Sequence, residues 1–162
     1  MNLIGQIINA MIAYYAGDVR RINHFLKVYG FAKAIGEMEG LDESTQEIIE
    51  IAALTHDIGI KNSEKKYNSS AGNYQQIEGP PEAKKLLAEL GIESGVIDRV
   101  CWLIAHHHTY TDIQGIDYQI LVEADFLVNF YEDDMSIDSV HSAGGKMFKT
   151  LRGKAILNAI YS

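Results

Sequence analysis

At 162 residues, with 47% apolar and 22% charged residues, the chain has the length of one domain and the composition of a folded globular protein, which excludes disordered and fibrous classes. Its 22 acidic against 14 basic residues leave a formal charge of -8, and no stretch gathers the Lys/Arg cluster that a phosphate backbone needs, so long nucleic acid and anionic membrane surfaces are poor partners. One cysteine, Cys101, rules out an internal disulfide and fits a reducing, cytoplasmic setting.

In chain order, the opening MNLIGQIINAMIAYYAG is apolar but has neither a basic leader nor a cleavage signal, and no run approaches a membrane span. It reads as a packing helix over about 2 to 16, with Ile4, Ile8, Met11, Ile12 and Tyr15 facing the core, although the same residues suit an oligomer interface. Asp18 caps a second helix over 18 to 39 that Gly40 ends, and Asp42 or Ser44 opens a third over 43 to 56. The polar segment from Lys61 to Gly79 is expected to be a substrate loop, with Pro81 in the first turn of a helix over 81 to 90. Helices over 93 to 107, 117 to 131, 136 to 149 and 153 to 161 follow, the last two forming a C-terminal cover over about 136 to 162. The expectation is an all-α, single compact bundle over 1 to 162 with its metal-binding core at about 20 to 130.

Four stretches carry chemistry: RINHFLKV, AALTHDIGIK, WLIAHHHTY and LVEADFLVN. On the second helix His24 shares a face with Arg21, Val28, Phe31, Ala32 and Ile35, so its ring points toward the core. His56 and Asp57 emerge together where the third helix gives way to Gly59. Asp125 is embedded among Leu121, Ala124 and Val128, where an ionised carboxylate is expensive unless a cation neutralises it. Imidazole and carboxylate are ligands for divalent first-row ions, and three helices each send one inward. Extending the face of Ile97, Val100, Cys101 and Ile104 selects His107 and His108 as inward and turns His106 away. His141 has no partner in these motifs.

The ordered set His24, His56 with Asp57, and Asp125 resembles the HD-domain superfamily of metal-dependent phosphohydrolases. That resemblance implies a helical bundle, a divalent metal (Fe, Mn, Co, Ni, Zn or Mg) and hydrolysis of a phosphate ester or nucleotide phosphate bond, with His24, His56, Asp57 and Asp125 as metal ligands. His56 and Asp57 would act in catalysis, and Asp57 would bridge to a second ion held by His107, His108 and Glu78. The segment IEGPPEAKKLL carries Glu78 where the family has histidine, so Glu78 either ligates as an oxygen donor or leaves a weaker second site. Lys61, with a catalytic and substrate-binding role, and Arg21 are the expected phosphate contacts of a small phosphorylated substrate, a nucleotide among the candidates. A nucleotide-binding sensor without turnover and a redox-iron lyase or oxygenase are the alternatives on the same ligands.

Overall fold

The computed structural model describes residues 2–162 and contains nine helices among them: α1 (Leu3–Tyr14), α2 (Val19–Glu39), α3 (Glu43–Thr55), α4 (Ile60–Tyr67), α5 (Gly72–Glu89), α6 (Ser94–His106), α7 (Ile116–Glu132), α8 (Ile137–Met147) and α9 (Leu151–Ile160). The expected caps form. Asp18 accepts from the Arg21 amide at 3.1 Å, Asp42 accepts from Thr45 at 2.9 Å, and Gly40 ends α2 in the left-handed conformation. No described helix is long and apolar enough to cross a membrane.

The bundle is organised around α3, whose residues from Ile49 to Thr55 are all buried. Helix α2 packs on one side of it, α7 against both, and α6 on the other side with α5 outside. From α1, Ile7, Met11 and Tyr15 enter the core while Ile12 stays exposed, so the first helix is largely a core element as expected. At the far end the buried carboxylate of Glu123 accepts from the amides of Lys149 and Thr150 and from the Thr150 hydroxyl, tying the start of α9 to α7.

The segment from Lys61 to Gly79 is not a loop. It folds as α4, a bend at 68–71 and the first two turns of α5, which runs through Pro80 and Pro81 instead of starting at Pro81. Two prolines inside a helix remove the bonds that the carbonyls four residues back would accept, at a cost on the order of 3 kcal/mol or more each. Tertiary packing holds the helix nonetheless. A Cβ on Gly59 would lie 2.6 Å from the Gly79 nitrogen and 2.7 Å from the Gln75 carbonyl, and one on Gly79 would lie 2.6 Å from Ile104. Glycine at both positions lets α5 lie directly on the turn that carries His56 and Asp57, with α6 behind it.

Candidate metal centre

Four elements deliver the site. The second turn of α2 supplies His24, the turn after α3 supplies His56 and Asp57, the turn after α6 supplies His107 and His108, and α7 supplies Asp125. His24 Nε2 lies 3.1 Å from Asp57 Oδ2, 3.2 Å from Asp125 Oδ1 and 3.3 Å from His56 Nε2. His56 Nε2 in turn lies 3.4 Å from Asp57 Oδ2 and 3.5 Å from Asp125 Oδ1. Residues separated by a hundred positions in sequence thus place four donor atoms around one point.

What stands behind each ring fixes which nitrogen faces inward. His56 Nδ1 donates to the Ala53 carbonyl at 2.7 Å, and His107 Nδ1 donates to the Ile104 carbonyl at 2.7 Å. A carbonyl only accepts, so both Nδ1 atoms carry the proton and both Nε2 atoms are the donors on offer. His24 uses Glu132 for the same purpose, at 3.0 Å. The sequence reading missed Glu132, and with it Asn129, whose amide donates to Asp125 Oδ1 at 3.1 Å. Asp125, Asn129 and Glu132 recur at four and three residues along α7, a polar stripe that helical periodicity could have exposed. Tyr15 adds a hydroxyl donated to the Asp57 carbonyl at 2.7 Å, which holds the main chain of the turn.

The electrostatics follow from crowding. Burial disfavours charge on His24, but the carboxylates of Asp125 and Asp57 outweigh it and push the ring up to about 10. His56 is buried too, and Asp57 and Asp125 raise it well above the usual imidazole range. Burial likewise opposes the charge on Asp57, yet His56, His107 and His24 hold it well below the usual carboxylate range. Asp125 is lowered despite its burial, through His24 and His56. Protons on two imidazoles therefore stand where a cation would neutralise the same two carboxylates.

The donor set fits a divalent metal on two further counts. Ligands about 2.1 Å from a shared ion lie roughly 3.0–3.4 Å apart at neighbouring vertices, close to the separations here. His107 Nε2, moreover, is buried with no well-formed hydrogen bond among the described residues, and it points at Asp57 Oδ1 from 3.4 Å. On the neutral ring that nitrogen turns a lone pair toward a carboxylate, an arrangement that a cation between them relieves. His24, His56 and Asp57 form one group able to hold an ion, and Asp57, His107 and His108 form another.

The remaining expected residues divide. His108 enters the second group, but its Nε2 is 2.9 Å from the Gln75 Oε1, and burial with neighbouring His107 draws it down to about 4. Glu78 does not join: Lys66 and the Tyr67 hydroxyl hold its carboxylate at 2.8 and 3.0 Å, because α5 turns that face toward α4 and presents Gln75 to the site instead. Arg21 lines the mouth of the cleft, paired with Glu64 at 2.7 Å. Lys61 lies outside it, its ammonium donating to the Tyr14 carbonyl at 3.0 Å, because the α4 helix gives the cleft wall to the preceding Ile60. His106 faces away and stacks on Trp102 at 4.0 Å, and His141 is exposed.

The HD-domain family model matches residues 21–140, a span that contains all four converging donors. The chain belongs to the HD-domain family. Among solved structures, the crystal structure of a predicted HD superfamily hydrolase from an uncultured Thermotogales bacterium resembles this HD domain with a TM-score of 0.68 and 21% sequence identity, covering 96% of this chain and 83% of the other. At that identity the likeness speaks for the fold. No curated protein matches the chain.

Proposed function

We propose that this HD domain hydrolyses small phosphate esters, with His24, His56, Asp57 and Asp125 holding the divalent cation that the reaction requires. The observation that carries the reading is the convergence of oriented Nε2 atoms on two carboxylates at the floor of a cleft whose mouth is lined by Arg20 and Arg21. A bound cation supplies Lewis acidity, acidifying water and drawing charge from the phosphoryl oxygens.

The chain's own groups do the positioning. Glu132 and the Ala53 carbonyl keep the His24 and His56 rings from rotating, and the Tyr15 hydroxyl fixes the Asp57 main chain. Asp57 presents Oδ2 to His24 and His56 and Oδ1 to His107, so one carboxylate faces both groups of imidazoles. The guanidinium groups at the mouth attract and orient an anionic ester. Lys61 and Glu78, tied to Tyr14 and to Lys66, take no part.

The test is phosphate release from monoesters and diesters by protein stripped with a chelator and reloaded with Mn, Fe, Co, Ni, Zn or Mg. Release that depends on metal and disappears in Asp125→Ala is the expected result. Ligand binding without release would make the protein a sensor, and oxygen consumption by the iron-loaded form would make it a redox enzyme.

A further inference from the structure

Building on the phosphohydrolase reading, we infer that the substrate is a small polyhydroxylated phosphomonoester, a sugar or polyol phosphate, and not a nucleotide. The cleft walls carry this. A nucleobase is a flat ring that sites hold with an aromatic face or an apolar slot. This cleft has little of either: Ile60 is the one wholly hydrocarbon side chain in its lining, and its aromatic rings, His24 and His108, are tied by hydrogen bonds to Glu132, Gln75 and Tyr110. The rings nearby are committed elsewhere. Tyr110 rests on Phe126 with 5.1 Å between centroids and its hydroxyl 3.2 Å from His108 Nδ1, while Tyr67 and Tyr74 stack on each other at 4.1 Å.

What the walls offer is hydrogen bonding. Ser70 and Asp133 line the cleft, and neither side chain has a hydrogen-bond or ion-pair partner among the described residues. Asn129 gives an amide hydrogen to Asp125, leaving its carbonyl oxygen for another donor. A free carboxylate accepts from two neighbouring hydroxyls at once, and a wall of such acceptors suits a ligand dense in O–H groups.

Charge and size set the rest. Arg20, one helical turn before His24, has no ion-pair partner among the described residues, whereas Arg21 is already paired with Glu64, so one guanidinium is free for one phosphate. Once a divalent cation has neutralised Asp57 and Asp125, the lining sets two guanidinium groups (Arg20, Arg21) against two carboxylates (Glu132, Asp133), with no surplus of positive charge for a di- or triphosphate. A cleft of about 330 Å³ lies at the small end of ligand pockets, which run from roughly 300 to 1,000 Å³. In the reaction, a water oxygen bonds to phosphorus, the ester P–O bond breaks, and a water proton passes to the leaving alkoxide, giving the free polyol and inorganic phosphate.

The test uses the full chain with Mn2+ and compares hexose and pentose monophosphates, glycerol phosphates, nucleoside 5′-monophosphates and p-nitrophenyl phosphate. At least one sugar or polyol phosphate is expected to exceed every nucleoside monophosphate in kcat/KM by about tenfold or more, and to raise the melting temperature where nucleotides do not. Arg20→Ala should raise KM for that compound about tenfold with kcat within about threefold. Asp133→Ala should lower the ratio of its kcat/KM to that for p-nitrophenyl phosphate about fivefold. Nucleoside monophosphates turned over equally or better, a KM unmoved by Arg20→Ala, or a ratio unmoved by Asp133→Ala overturns the inference and leaves the hydrolase reading standing. Phosphate release from none of these compounds sinks the inference, and release from no diester either, with any of the six metals, sinks both.

Discussion

Asp57 stands between two sets of imidazoles that differ in what lies behind them. Toward Oδ2, His24 and His56 each tie their Nδ1 to an acceptor, and Asp125 closes the group, itself supported by Asn129. Toward Oδ1, His107 is tied in the same way, but His108 spends its inward nitrogen on Gln75, and Glu78 is bound to α4. The contrast lies in the far nitrogen of each ring, whose partner decides whether the near one is left to face a cation. One corner is ready for an ion, and the other must first break the His108 contact to Gln75.

The largest effect that follows is loss of the complete corner. His56→Ala or Asp125→Ala should abolish metal retention and reduce metal-dependent phosphate release by about a thousandfold or more, measured by elemental analysis and steady-state kinetics. Next, Glu132→Gln, which weakens the hold on His24 without touching a donor atom, should lower metal affinity by roughly 10- to 100-fold in a competition titration. His107→Ala probes the other corner. It should leave one equivalent of metal bound while lowering turnover about tenfold, and loss of that equivalent would erase the distinction between the corners. Glu78→Gln should change turnover less than about twofold, because the carboxylate never reaches the site.

The metal-free protein offers a pH test of the complete corner. His24 is raised to about 10, so the stability it contributes is fully present below its unfolded value of about 6.5 and disappears as pH rises through 10. Asp57 and Asp125 are lowered, so their contribution is present above about 4 and lost on acidification. The melting temperature of chelated protein should therefore fall toward both extremes.

Much of the better-built corner was readable from the chain. His24, His56 and Asp125 are polar residues on apolar helical faces, and a polar residue out of place is visible to periodicity. Glu132 and Asn129 lie on the same face as Asp125 and were open to the same periodicity, but nearer the polar helix end they stand out less. The other corner was less legible because it depends on α5. Two adjacent prolines read as a helix start, yet the approach of Gly59 to Gly79 lets the helix run through them, and that register turns Glu78 outward and Gln75 inward. Lys61 sits away from the cleft for a simpler reason: one position along α4 separates the wall of the cleft from its outer surface.

Anomalous diffraction from crystals grown with Mn2+ tests the assignment most directly. A strong peak is expected within about 2.0–2.3 Å of His24 Nε2, His56 Nε2, Asp57 Oδ2 and Asp125 Oδ1. An empty site there, or an ion held only by His107 and His108, would contradict the assignment of the catalytic cation to these four residues.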